Sequence, residues 1–137
     1  MKKSLILLIL LNITCLLSAQ QSNDKITVYQ SFEVDSLPSY PFGNDSLYNY
    51  LRSGLKDIDP QKCLGTVLVS FIVDTDGSIS MIRIMRSTCP DADKLLMESV
   101  GKMSKWIPAW KNGIKVKSMV NIPVKVYMTP PPEFKKQ

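Results

Sequence analysis

The sequence predicts an α+β fold of two layers, with two helices on one face of a three-stranded antiparallel sheet. Three observations lead to this prediction. Two segments repeat apolar residues at helical spacing, three segments have the composition or alternation of strands, and the segments follow in the order α-β-β-α-β. Because helices and sheets must each bury an apolar face against another element, this order favours a two-layer domain. A chain of 137 residues is long enough for one such domain.

The first 20 residues have the layout of a secretory signal peptide. Two lysines precede an apolar run from Leu5 to Leu17, and small or polar residues follow it. This run is 13 residues long, whereas a helix that spans a bilayer needs about 20 apolar residues. We therefore expect cleavage near Ala19 or Gln20 and export of the remaining chain. An uncleaved membrane anchor and, through Cys15, a lipoprotein are the alternatives.

Composition and charge argue against several classes of function. Loss of the two signal-peptide lysines leaves 15 basic and 12 acidic residues, hence a net charge of +3. The basic residues are scattered along the chain, which disfavours nucleic acid as a partner. The chain has no histidine, the commonest general base and metal ligand, and no phosphate-binding glycine loop or nucleophile elbow. We therefore expect a protein that is not an enzyme and binds no cofactor or metal.

A polar leader is expected to precede the first helix and to lie against the domain. This leader, residues 21–43, contains one weak strand-like piece from Ile26 to Val34. The next three residues, Asn44-Asp45-Ser46, are typical of a helix N-cap. An apolar stripe with Tyr48 beside it then predicts an amphipathic helix that faces a core. The leucines of this stripe are Leu47, Leu51 and Leu55.

The stretch DTDGSIS, from Asp74 to Ser80, predicts the turn of a β-hairpin. An EF-hand calcium loop needs a glycine at its sixth position and a glutamate at its twelfth, between two helices. Those positions hold Ile79 and Met85, and the flanking segments GTVLVSFIVD and SISMIRIMR have the β-branched composition of strands. Thr75-Asp76-Gly77 suits a three-residue hairpin loop in which the glycine takes a positive φ.

The second strand and second helix follow the hairpin turn. The isoleucines of the second strand, at 79, 82 and 84, break strict alternation by one residue and predict a β-bulge just after Ile79. Pro90 suits the first turn of a helix. The apolar residues of that helix recur at helical spacing, and they are Ala92, Leu96, Val100 and Met103.

The last strand is predicted from Lys115 to Met128, after an Asn112-Gly113 turn. Its apolar face consists of Val116, Val120, Ile122, Val124 and Val126, and its other face includes Lys117, Met119, Asn121, Pro123 and Lys125. Since proline cannot donate to a ladder, Pro123 predicts that this strand lies at an edge of the sheet. The proline-rich residues 129–137 are predicted to form a disordered tail.

With these segments in order, the chain resembles the C-terminal domain of TonB energy transducers, particularly the Bacteroidetes form. The resemblance spans about Pro41 to Met128, so we expect one such domain over residues 44–128. It rests on YPFGNDSLYNYLRSGLK, GTVLVSFIVDTDGSISMIRIMRS, the proline-aspartate start of the second helix, KWIPAWKNGIKV and NIPVKV. Two positions depart from the family pattern. Residues 56–60 replace a tyrosine-proline pair, and Ala109 replaces the glycine after tryptophan-x-proline.

This resemblance implies a peptide-binding module in the periplasm that serves TonB-dependent transport across the outer membrane. In the family, an extended peptide of an outer-membrane receptor, the TonB box, adds beside the last strand by β-augmentation. The partner-binding residues implied here are Val116, Lys117, Ser118, Met119, Val120, Asn121, Ile122 and Val124. Because residues 21–43 reach at most about 80 Å when extended, we expect a stand-alone domain in place of a transducer that spans the periplasm.

The alternative is a structural or regulatory protein that keeps the fold and self-associates as a homodimer or binds another partner. Leu68 and Ile72, on the far face of the first strand, fit such a contact, and they equally fit burial under the leader. Trp106 and Trp110 fit either a recognition surface or the core.

Two cysteines, Cys63 and Cys89, remain after export to an oxidising compartment that permits a disulfide. The hairpin register places them opposite each other. The bulge predicted after Ile79 would move them to opposite faces, so the sequence leaves their pairing open.

Overall fold

The structure, a computed structural model, describes residues 26–59 and 61–126. The predicted signal peptide, Cys15 and the tail at 129–137 lie outside these residues. The two helices are α1 (Gly43–Gly54) and α2 (Pro90–Gly101). The strands are β1 (Gly65–Val73), β2 (Ile79–Arg86), β3 (Ala109–Lys111), β4 (Ile114–Val116) and β5 (Ser118–Val126). No helix within the described part of the chain is both long and apolar enough to cross a membrane.

Strands β1, β2 and β5 form an antiparallel sheet in the order β2-β1-β5, and both helices contribute to the core that covers it. The predicted α+β fold with a three-stranded sheet is confirmed. Strands β3 and β4 form a separate two-stranded hairpin, whose turn residues Asn112 and Gly113 both have positive φ. The Asn-Gly signal therefore predicted the turn correctly, since only such residues adopt two left-handed conformations in succession easily.

The core lies between the helices and one face of the sheet. Alternate residues of β1 and β5 meet the apolar stripes of α1 and α2 in one cluster. Its fully or nearly buried members include Leu47, Leu51, Val67, Val69, Phe71, Val73, Ala92, Leu96, Val100, Ile122, Val124 and Val126. The side chains on the other face of β1 are also largely shielded from solvent. Ile72 is buried and Leu68 half-buried, so they form no exposed apolar patch.

The hairpin turn between β1 and β2 has the predicted chemistry. The Asp74 N–H donates to the Ser78 carbonyl at 2.9 Å, and Gly77 takes a φ of 85°. Both the N–H and the hydroxyl of Ser78 donate to the Asp76 carboxylate, which lowers the pKa of Asp76 below its ordinary value. The Asp74 carboxylate accepts from Ser80 and pairs with Lys117. These carboxylates therefore bind neighbours within the fold.

Strand β2 contains two register shifts where one was predicted. The first lies between the pairs Ile72–Ser80 and Ser70–Arg83, next to Met81, which has a φ of 52°. The second lies between Val69–Ile84 and Leu68–Arg86. A single shift reverses the face on which every later side chain lies, and a second shift restores it.

The two shifts resolve the pairing of the cysteines. Cys63 precedes β1, Cys89 is the N-cap residue of α2, and the two form a disulfide with 5.1 Å between their Cα atoms. The Cys89 sulfur also accepts a hydrogen bond from the Ala92 N–H. The bridge thus joins the start of the central strand to the start of the second helix.

Three predicted boundaries were wrong. Helix α1 begins at Gly43 after Phe42, without a side-chain cap, so Asn44-Asp45-Ser46 lies inside the helix. Residues 26–34 form no strand and contain only a single bridge at Tyr29 and a 3-10 turn at Ser31–Glu33. The strand predicted from Lys115 is divided at Lys117 into β4 and β5, because β4 pairs with β3 and not with β1.

Candidate functional site

The three-stranded sheet has two edges, and they differ in regularity. The β2 edge is interrupted by the two bulges and carries exposed Arg83 and Arg86. Bulges and charged side chains both protect an edge against pairing with another chain. The β5 edge pairs with β1 over nine consecutive residues without interruption. Strand β5 is therefore the edge that can accept a further strand.

The backbone of β5 points alternately toward β1 and away from it. Tyr29 of the leader marks the outward side: its N–H donates to the Lys117 carbonyl and its carbonyl accepts from the Met119 N–H, both at 2.9 Å. Since backbone groups of alternate residues in a strand point to the same side, Asn121, Pro123 and Lys125 also point outward. We call the outward groups from Lys117 to Lys125 the outer margin.

The outer margin is occupied at one end and open at the other. Tyr29 forms a parallel bridge with Ser118 and satisfies the Lys117 carbonyl and the Met119 N–H. Among the described residues, no hydrogen-bond partner meets the N–H groups of Asn121 and Lys125 or the carbonyls of Met119, Asn121, Pro123 and Lys125. Six outward backbone groups thus have no partner among the described residues.

Pro123 fits this geometry without loss inside the sheet. It lies opposite Leu68, and its missing N–H would have pointed outward, away from β1. The ladder between β1 and β5 therefore loses no hydrogen bond, which explains why the sheet tolerates a proline here. The same residue removes one donor from the middle of the outer margin.

In the structure, most of the predicted partner-binding residues are buried or already paired. Val116 is buried in the small hairpin, and the Lys117 ammonium pairs with Asp74 at 2.7 Å, so neither side chain is available. The backbone bonds of Tyr29 to the Lys117 carbonyl and the Met119 N–H occupy the start of β5. The side chains of Ser118, Ile122 and Val124 are buried, and that of Val120 is half-buried.

Only Asn121 among the predicted residues is both exposed and open along the backbone. Pro123 and Lys125, which were not among the predicted binding residues, share this position. The open site is therefore shifted toward the end of β5.

Two hollows flank the outer margin. The first, of about 210 Å³, lies between the leader and the start of β5, and is lined by Ser31, Leu37, Pro38, Met119, Val120 and Asn121. The second, of about 260 Å³, lies between α1 and the end of β5, and is lined by Tyr48, Arg52, Pro123, Val124 and Lys125. Their centres on β5 are four residues apart, or about 13 Å along a strand. Two side chains on one face of an added strand match this spacing.

The charges around the two hollows differ. Arg52 and Lys125 are exposed in the second hollow and have no acidic partner among the described residues. The first hollow has no charged residue in its lining, and the Leu37 side chain there is 58% exposed. The open end of the margin is therefore positively charged.

Sequence reasoning missed the leader's part in the site. Tyr29, Leu37 and Pro38 lie at least 80 positions before β5, and no local pattern indicates that they meet it. Ser36 and Ser39 fix this path by pairing with Trp110 and Ile107. The only available signal was the weak apolar character of the leader itself.

The two tryptophans have separate positions. Trp106 is buried and forms edge-to-face contacts with Tyr40 and Phe71, at centroid distances of 5.7 and 5.2 Å. Trp110 is 38% exposed, and the Lys115 ammonium lies 5.6 Å from its ring. The structural interpretation therefore holds for Trp106 alone.

Comparison with known proteins adds no relative. No protein-family model matches the chain, and neither curated proteins nor solved structures give a significant match. The resemblance to TonB C-terminal domains stays a prediction. Among the described residues, no group of three or more acidic or cysteine side chains is placed to hold a metal ion.

Proposed function

We propose that this chain is a periplasmic TonB-like module that docks an extended segment of an outer-membrane receptor beside β5. One observation supports this most directly: β5 is a regular edge strand with six outward backbone groups that have no partner among the described residues. Strand addition takes its affinity from such groups, while hollows beside the edge select side chains.

The expected contact is weak and reversible. Each hydrogen bond contributes about 0.5 to 1.5 kcal/mol net, so four or five bonds give a dissociation constant in roughly the millimolar to micromolar range. The two flanking hollows add contacts with side chains. Such an affinity suits a partner that must be gripped and released.

Pairing of two β5 strands is the competing use of the same edge. In a symmetric antiparallel pair centred on Pro123, the two prolines would face each other, and the hydrogen bonds that their N–H groups would donate are missing. These features favour a foreign segment over a second copy of this chain.

The test distinguishes docking through the backbone of β5 from binding through the Asn121 side chain. N-terminal peptides of outer-membrane receptors are titrated into ¹⁵N-labelled protein, and we expect shift changes at residues 121–125 together with Tyr48 and Arg52. Asn121→Pro removes an outward N–H and should weaken binding about fivefold or more, the value of one hydrogen bond. Asn121→Ala keeps that N–H and serves as the matched control.

Either of two outcomes would contradict the proposal. One is the absence of shift changes along β5 with every receptor peptide. The other is equal weakening by Asn121→Pro and Asn121→Ala, which would place the affinity in the side chain. Concentration-dependent dimerisation without peptide binding would favour the alternative of a self-associating protein.

A further inference from the structure

The leader is attached to the domain unevenly along its length. Toward α1, backbone hydrogen bonds of 2.9 to 3.1 Å join Asp35, Ser36 and Ser39 to Trp110 and Ile107. The Asn112 N–H also donates to the Asp35 carboxylate at 2.7 Å. We call the preceding residues, 26–34, the strap. Within the strap, Tyr29 bonds to the backbone of β5 and of the residue before it, through its N–H and its carbonyl.

The strap contributes little apolar burial. Ile26 is 71% and Phe32 84% exposed, and the 3-10 turn at Ser31–Glu33 contains no buried residue. That turn is closed by bonds of its own, since the Gln30 N–H donates to the Glu33 carboxylate at 2.6 Å. A segment with few buried contacts and few hydrogen bonds to its surroundings opens at low free energy.

Tyr29 nevertheless occupies backbone groups that a docking strand would use. Its two bonds cover the Lys117 carbonyl and the Met119 N–H, directly before the open Met119 carbonyl. Two weak contacts support it: the Lys111 ammonium lies 4.3 Å from the Tyr29 ring centroid, and the Gln30 amide lies 3.9 Å from the Met119 sulfur. Opening the strap would extend the free margin from six backbone groups to eight.

We infer that the strap is an autoinhibitory segment that shortens the docking edge of β5 and is displaced when a longer segment binds. This inference rests on the proposed docking function and concerns its regulation. With the strap closed, a segment pairs from the Met119 carbonyl to Lys125. With the strap open, it pairs from Lys117 to Lys125, and the measured affinity then depends on the fraction of molecules in the open state.

The test removes the bond that closes the strap. Tyr29→Pro deletes the N–H that donates to Lys117, so we expect the Met119 amide to exchange with solvent at least about tenfold faster than in the unchanged protein. Tyr29→Phe is the matched control, because it keeps the backbone N–H that donates to Lys117 and the ring that the Lys111 ammonium contacts.

The affinity measurement uses an acetylated nine-residue peptide of alternating threonine and valine, titrated by NMR. We expect Tyr29→Pro to bind this peptide roughly tenfold to thirtyfold more tightly, because two further main-chain bonds each contribute about a factor of five. Tyr29→Phe should bind like the unchanged protein. Lys111→Met, which removes the ammonium above the Tyr29 ring, should tighten binding about twofold.

The outcomes distinguish the strap from docking itself. If the peptide binds all variants with equal affinity along β5, docking stands and the inhibitory role is overturned. If the peptide binds none of them, the docking function fails, and the strap has nothing to regulate. Unchanged exchange at Met119 in Tyr29→Pro also overturns the inference, because the strap would then not be held by this bond.

Discussion

Single residues in this domain have strict conformational demands where two loops meet. Gly77 ends the loop between β1 and β2 with a φ of 85°, and its carbonyl accepts from the Trp106 N–H at 2.8 Å. A Cβ atom at this position would collide with the Trp106 carbonyl oxygen. The position thus requires glycine for two separate reasons, its left-handed backbone and the lack of space.

Gly77→Ala should lower the free energy of unfolding by more than about 2 kcal/mol, since left-handed strain of about 1 to 2 kcal/mol adds to displacement of the Trp106 backbone. Gly113→Ala is the matched control. Gly113 has a similar φ of 77°, and a Cβ atom there would meet nothing within 4 Å. Urea unfolding of both variants measures the difference, and equal losses would show that the close approach is unimportant.

Local chemistry made this turn predictable from sequence. The positive φ that the turns require at Gly77 and at Asn112-Gly113 is set by neighbouring residues, so short motifs identified both turns. The contact of Gly77 with Trp106 could not be predicted in this way, because it joins loops separated by a whole helix. The bridge between Tyr29 and Ser118 could not be predicted either, because these two residues are also far apart in the sequence.

At the scale of elements, β5 shows what periodicity predicts and what it leaves out. The alternation of apolar residues correctly separated the buried face of β5 from its exposed face, and Pro123 correctly indicated an edge. Alternation alone did not show that Val116 belongs to another sheet, because a strand keeps its pattern when it changes partner. The second bulge of β2 likewise could not be predicted from the sequence, since it restores the original alternation of faces.

Pro123→Thr should increase pairing at the β5 edge without loss of stability. Threonine supplies an outward N–H and has a high β-propensity, and no ladder bond to β1 changes. We expect receptor peptides to bind about fivefold more tightly, the value of one hydrogen bond. Sedimentation should also show more self-association, because the edge loses a protective proline.

A matched variant on the opposite edge controls for charge and surface effects. Arg86→Thr introduces the same residue at an exposed position of β2, where bulges already disrupt pairing. It should leave peptide affinity unchanged. Equal effects of both threonine variants would contradict the assignment of β5 as the docking edge.

At the scale of the whole molecule, one disulfide joins the sheet to the helical layer. The bond between Cys63 and Cys89 closes a loop with a sequence separation of 26 around the entire β1–β2 hairpin. A crosslink of this kind reduces the conformational entropy of the unfolded chain. The sequence identified the pair but could not decide its geometry, which depends on the number of bulges between the two residues.

Reduction of this bond should lower the free energy of unfolding by about 3 to 4 kcal/mol, as expected for a loop of this length. Unfolding curves with and without dithiothreitol measure the effect. In Cys63→Ser/Cys89→Ser the reductant should have no effect, and the serine at 89 keeps an N-cap acceptor for the Ala92 N–H. A reductant effect that persists in this variant would contradict the assignment.

The unequal edges of the sheet also limit how many molecules can join. If both edges accepted strands, copies could stack head to tail into an open filament, as any non-closing contact between unlike surfaces permits. The bulged β2 edge, with its exposed arginines, gives such growth no receiving surface. On the proposed docking function, occupation of β5 ends assembly after one step, and the expected stoichiometry is one segment for each domain.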